Sequence, residues 1–218
     1  DLDKLKIVAL DRWLIVNKCR DKKVLELGCI NHSIEGIKGQ KKKGTWLFDY
    51  LCKFSEKAVG LDINKKAVDF LKKEGYDVRL GDAQNFDFFR EKFDVIVASK
   101  LIDHLLNLEG FLESCGKNLR MGGLLIISDE NILCLPKLVV WYFKRYLGKP
   151  HNDITVKFIP YYFKNFVSRF GFSVNEVKYF FGEGAPKILK TIDKFAPKKL
   201  IFPPLFYSWY ILILKKKD

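Results

Sequence analysis

Lys23-Val24-Leu25-Glu26-Leu27-Gly28-Cys29-Ile30-Asn31-His32 is the stretch on which the fold turns. A short apolar run halted by a glycine reads as a buried strand entering a tight turn. Working outward, the same unit recurs. Ala58-Val59-Gly60-Leu61 is a second such run, ending at Asp62 and followed by a helical pattern over residues 64–74. A strand over 77–80 meets the turn Gly81-Asp82, and Phe93-Asp94-Val95-Ile96-Val97-Ala98 is a fourth run. A helix over about 106–119, a turn at Met121-Gly122-Gly123 and a strand over 124–128 complete the series. Strands alternating with helices predict a parallel sheet covered on both faces.

The flanking segments fit one domain over residues 1–218. An amphipathic helix is expected over 2–16, a polar Gly- and Lys-rich loop over 31–44 and a helix over 45–54. Beyond the fifth strand, residues 131–161 form an aromatic-rich segment with Val139-Val140-Trp141-Tyr142-Phe143 beside Lys144, Arg145 and Lys149. It reads equally as a lid over an acceptor site and as a helix docked on the sheet edge. A helix over 160–170 closed by Gly171, a strand over 172–180 and a last strand over 207–214 follow. The apolar stretch 200–214 contains Pro203-Pro204 and is shorter than the ~20 residues of a spanning helix. No membrane span is expected, and the charged amino-terminal residues do not read as a signal peptide.

Five scattered cysteines without a Cys-x-x-Cys pair suit buried thiols in a reducing, cytoplasmic setting. Three dispersed histidines predict no metal centre. The net charge of +13 is carried mostly by lysine, in runs along the whole chain. A solvated basic surface accounts for it; nucleic acid is the alternative partner.

Ligands of open parallel sheets bind beyond the carboxyl ends of the strands, and those ends carry suitable chemistry here. Asp62 has a carboxylate able to accept from two ribose hydroxyls, and Asp82 one able to accept from an adenine amino group. Ser99-Lys100-Leu101-Ile102-Asp103-His104 follows the fourth strand. The series Val24-Leu25-Glu26-Leu27-Gly28-Cys29, Gly60-Leu61-Asp62-Ile63, Gly81-Asp82-Ala83 and Phe93-Asp94-Val95-Ile96-Val97-Ala98 resembles the ordered motifs of class I S-adenosylmethionine-dependent methyltransferases. Ile102-Asp103-His104-Leu105 through Leu119-Arg120-Met121-Gly122-Gly123-Leu124, and then Phe170-Gly171-Phe172, extend the resemblance over nearly the whole chain.

That resemblance implies a three-layer, Rossmann-like α/β sandwich whose seven-stranded, mostly parallel sheet has the order 3-2-1-4-5-7-6, the last strand antiparallel. It implies S-adenosylmethionine as cofactor. Glu26, Gly28, Cys29 and Ser99 would lie along its methionine part, Asn31 and His32 in the adjoining loop, Asp62 with Ile63 at the ribose, and Asp82 with Ala83 at the adenine.

The chain departs from the family at Ile30 and His32, which occupy later glycine positions of the first loop. A β-branched Ile30 is expected to keep φ negative, leaving Asn31 to take the left-handed turn. Asp62 also falls 34 positions after Gly28, against the ~20 usual in dinucleotide folds. A subset of the family associated with surface-glycan biosynthesis is similar here, with Gly-Cys-x-x-His and a downstream tryptophan. Trp46 would play that part, although it reads better as core than as a plate for substrate.

Three functions follow from these readings. O-methylation of a small molecule or glycan is favoured, with His104 and His151 as candidate proton acceptors; each is also readable as a structural histidine. RNA methylation rests on charge alone. A non-catalytic protein keeping the cofactor fold would explain Ile30 and His32. Exocyclic base amines are disfavoured as acceptors, because Ser99-Lys100-Leu101-Ile102 lacks the Pro-Pro-aromatic sequence of such enzymes. A dinucleotide oxidoreductase is disfavoured by the missing glycines.

Overall fold

The computed structural model describes residues 9–30, 32–87, 89–135, 139, 158–181 and 204–217. Its core is one seven-stranded sheet of order β3-β2-β1-β4-β5-β7-β6, built from β1 (Lys23–Leu27), β2 (Lys57–Asp62), β3 (Val78–Leu80), β4 (Phe93–Ser99), β5 (Leu119–Glu130), β6 (Phe172–Phe180) and β7 (Trp209–Lys216). β1 pairs in parallel with β2 and β4, and β7 runs antiparallel between β5 and β6. This is the order and direction expected from the family resemblance.

Alternation sorts each strand onto two faces. Leu25, Leu27, Ile96, Ala98, Leu125 and Ile127 enter one apolar layer. That layer is closed by α5 (Leu108–Asn118) and α6 (Pro160–Ser168). Val24, Val95, Val97 and Ile126 face the other way, under α1 (Leu10–Cys19) and α3 (Leu47–Phe54). A third cluster joins α2 (Ile34–Lys43) and α4 (Lys65–Lys73) to Cys29, Trp46, Phe48 and Val78.

Two expectations are corrected. The polar stretch taken as a loop contains α2. Only Ile37 of this helix is buried, so its hydrophobic period is nearly silent. It is defined by its ends instead: Ser33 Oγ accepts from the Gly36 amide, and Gly44 at φ 61 closes it, donating to Gln40 and Lys41 carbonyls. The Met121-Gly122-Gly123 turn lies within β5 as a bulge. Pairing jumps from Phe93↔Leu119 to Val95↔Leu124, with Gly122 at φ 69.

The amphipathic helix expected over 2–16 is described as Leu10–Cys19, residues 1–8 lying outside the described range. Of the five cysteines four are buried, but Cys52 is exposed. Stretch 200–214 holds a turn, Pro204–Phe206, and the start of β7, with 200–203 outside the described residues. Most of the 131–161 segment, Trp141 and Tyr142 included, also lies outside them. No helix among the described residues is long and apolar enough to cross a membrane.

One close packing contact joins the strands to the first loop. A Cβ built on Gly60 would stand 2.7 Å from Cys29 Sγ and 2.9 Å from Val78 Cγ1, inside contact distance. Gly60→Ala should therefore destabilise by about 1–3 kcal/mol through overpacking, lowering the melting temperature by about 2–4 °C per kcal/mol. Adding Cys29→Ala should recover part of that loss. Simple additivity of the two changes in thermal melts would mean the sulfur is not what the new methyl meets.

Candidate functional site

The site is built where β1 ends. Gly28, at φ 68, turns the chain out of the sheet while its amide donates to the Leu61 carbonyl at 2.8 Å. Ile30 is absent from the positive-φ residues, as β-branching requires. It is buried, and its amide donates to Asp62 Oδ2 at 3.0 Å. His32 takes the left-handed conformation at φ 55; Asn31, expected to take that turn, lies outside the described residues. His32 donates back to the Ile30 carbonyl and accepts from Asn64 Nδ2 at 3.2 Å. Trp46, buried as expected of a core residue, donates its Nε1–H to the Cys29 carbonyl at 3.0 Å.

Asp62 holds this loop to the carboxyl end of β2. Its Oδ2 takes the Ile30 amide and its Oδ1 the Asn64 amide at 2.9 Å. Burial pushes the Asp62 carboxyl above its ordinary range, and the amides of Asn64, Ile30 and Ile63 pull it back. Each carboxylate oxygen has lone-pair capacity beyond one amide. Beside it Ile63 is 76% exposed, an apolar side chain left uncovered at the strand end.

Asp82 and Ala83 follow β3. Asp82 is exposed and accepts from the Gln84 amide at 2.8 Å and from its side chain. Gln84 Oε1 in turn accepts from the amides of Leu106 and Asn107, at 2.8 and 2.6 Å. That link between the loops after β3 and β4 was not read from the sequence, where Gln84 is one polar turn residue among several. Gly110 is held close in the same place, since a Cβ there would meet the Gln84 carbonyl at 2.5 Å.

Beyond β4, Ser99 Oγ lies 2.8 Å from Ser128 Oγ. Lys100, at φ 56, stacks its ammonium 4.4 Å over the Trp209 ring. A non-glycine residue in that region is strained and common at functional sites. His104 approaches His32 edge to face, ring centroids 6.4 Å apart, and its Nε2 lies 3.5 Å from buried Asp103 Oδ1. These two imidazoles meet over the boundary of β1 and β4, where chain connections diverge to the two halves of the sheet and ligands of such folds bind. His151 lies outside the described residues.

Glu26 is the electrostatic oddity. It is buried on the face under α1, and among the described residues its Oε2 has no hydrogen-bond partner. Burial raises its carboxyl to about 8; the nearby Arg12 guanidinium lowers it and Asp62 raises it. The neighbouring Cys29 thiol is held well above its usual value, chiefly by burial, and stays neutral. Among the described residues no group of three or more metal-ligating side chains converges.

A buried carboxyl with one unpartnered oxygen, an uncovered apolar side chain and a strand-end acid fit a ligand with a cationic amine, a flat ring system and a ribose. The strand order is that of the Rossmann-like methyltransferase fold. Residues 44–127, from the turn before α3 through most of β5, match the family described as "Methyltransferase domain".

The fold likeness spans almost its full length. An S-adenosylmethionine-dependent methyltransferase of Mesorhizobium loti superposes with TM-score 0.61 at 14% identity, covering 99% of this chain and 100% of that one. One from Archaeoglobus fulgidus gives 0.55 at 18%, covering 98% of each. Magnesium protoporphyrin IX methyltransferase of Synechocystis, with bound SAH, gives 0.58 at 13%, covering 99% and 84%. No curated protein matches the chain significantly.

The raised Glu26 carboxyl has a pH signature. Its folded value lies above the unfolded one, so its contribution to stability is full below about 4.5 and is lost as pH rises through about 8. Glu26→Gln, which cannot ionise, should therefore melt increasingly above wild type as pH is raised from about 5 to 8. A difference between the two melting curves that stays constant over that interval would show that Glu26 titrates normally.

Proposed function

We propose that the chain methylates an oxygen of a small-molecule or glycan acceptor. When bound, S-adenosylmethionine supplies an electrophilic methyl group on a sulfonium. Asp62 would hold the ribose hydroxyls, Ile63 the flat face of the adenine, and Asp82 with Ala83 its edge. Glu26, Gly28, Cys29 and Ser99 would flank the methionyl part, with the ammonium giving Glu26 its missing partner; Asn31 and His32 would border it from the loop.

The observation that carries the acceptor side is the His104–His32 approach over the strand ends, with Asp103 against His104. A hydroxyl acceptor must shed its proton as its oxygen bonds to carbon. A neutral imidazole near physiological pH can take that proton, and the Asp103 carboxylate stabilises the imidazolium that results. Alignment of donor and acceptor supplies much of the remaining acceleration.

Calorimetric titration with the cofactor tests the first half. Asp62→Ala should weaken binding roughly tenfold or more, as loss of charge-assisted hydrogen bonds costs about 1.5–3 kcal/mol. An unaltered affinity in a folded variant would rule out the ribose role, and no binding by wild type would favour a non-catalytic protein. For the second half, radiolabelled methyl transfer into fractionated cell extract identifies a responsive fraction. His104→Ala should slow that transfer about 10²–10⁴-fold without changing cofactor affinity. A rate within a factor of about three of wild type would remove His104 from the chemistry.

A further inference from the structure

Several of the described cations lie at one end of the molecule. A parallel sheet begins its strands on one side, and here those beginnings are basic: Lys23 opens β1, Lys57 opens β2, Lys92 precedes β4 and Lys117 precedes β5. β7 runs antiparallel and so delivers Lys215 and Lys217 to the same side. This end is opposite the loops that carry Asp62 and His104, about 20 Å away at the ~3.3 Å rise of a strand residue.

Part of this charge is internally used. Lys216 Nζ donates to the Gly116 and Leu119 carbonyls at 2.6 and 3.0 Å, and Lys92 to the Lys117 carbonyl, completing the C-terminus of α5. Glu91 pairs with Lys23 at 3.1 Å and with Lys57, and Asp94 with Arg120 at 2.7 Å. Arg90, Lys117, Lys215 and Lys217 make no ion pair among the described residues.

A cleft of about 510 Å³ runs from this end along the sheet edge, between β2, β3 and the loop before β4, with Arg79 level with Leu61. Val59 and Phe93 form its floor, and Lys57, Arg79, Arg90 and Glu91 its polar wall. The Arg79 guanidinium lies 5.5 Å over the Phe89 ring, with Asp77 at 3.7 Å. Guanidinium groups fork onto phosphate oxygens and stack on flat rings, and an aromatic wall suits an unpaired base. A bilayer surface is flat and wants exposed apolar side chains, of which the bulge at this end offers Met121.

We propose that this cleft binds single-stranded nucleic acid, its phosphates on Arg79 and Arg90 and a base against the aromatic wall. The contact does not depend on the acceptor assigned above.

Fluorescence anisotropy with a labelled oligouridylate of about twenty nucleotides tests it. Wild type should bind saturably at about 50 mM salt and weaken steeply as salt rises. Arg79→Glu with Arg90→Glu should weaken binding at least about tenfold and lower the salt slope by about one to two. Lys65→Glu with Lys66→Glu, the same charge change at the opposite end, should shift affinity less than about threefold. Arg79→Ala with Arg90→Ala serves if the reversal misfolds, and cofactor titration with thermal melting verifies the fold. Absence of saturable binding, equal losses in the two charge-reversed proteins, or binding to phosphatidylserine vesicles in preference to the oligonucleotide would each overturn the proposal.

Discussion

A buried carboxylate at the end of one strand governs the loop at the end of its neighbour. Asp62 accepts from the Ile30 and Asn64 amides at once, so the turn leaving β1 and the turn leaving β2 are one hydrogen-bonded unit. In a glycine-rich version of this loop the backbone itself supplies the shape, since glycine enters positive φ without strain. Here Ile30 anchors its side chain in the core while its amide is spoken for, and His32 bears the left-handed turn. Trp46 fixes the Cys29 carbonyl just before them. A loop poor in glycine is thereby held in position by three partners from outside itself.

The same carboxylate acts on Glu26, so that two acids share this end of the sheet. Burial raises both, and Glu26 has neither a hydrogen bond to its Oε2 nor enough field from Arg12 to ionise freely. A carboxyl raised by burial is held toward its neutral form, and a positive charge brought beside it favours ionisation. At the far end of the strands the balance reverses, with lysines and arginines around the strand beginnings.

The strands were legible because both their faces are buried. Five consecutive residues such as Lys23–Leu27, or the run Phe93–Ser99, carry an apolar signal that needs no partner to be read. α2 was not legible by period, having one buried apolar residue, though Ser33 and Gly44 marked its ends. The bulge in β5 looked like a turn because Met121-Gly122-Gly123 is turn chemistry. Pairing with β4 on both sides of it is what makes it an interruption within one strand.

From the sequence alone came the order of the elements, the strand-end acids and the family resemblance, because local periodicity and motif spacing are properties of contiguous residues. Tertiary structure alone decided which partners those residues have. The Asp62–Ile30 bond joins positions 32 apart, the His32–His104 approach joins two loops, and Gln84 ties the turn after β3 to the start of α5. It also decided where the charge lies. Several lysines that are far apart along the chain come to one end, because strands laid parallel all begin on the same side and β7, reversed, ends there.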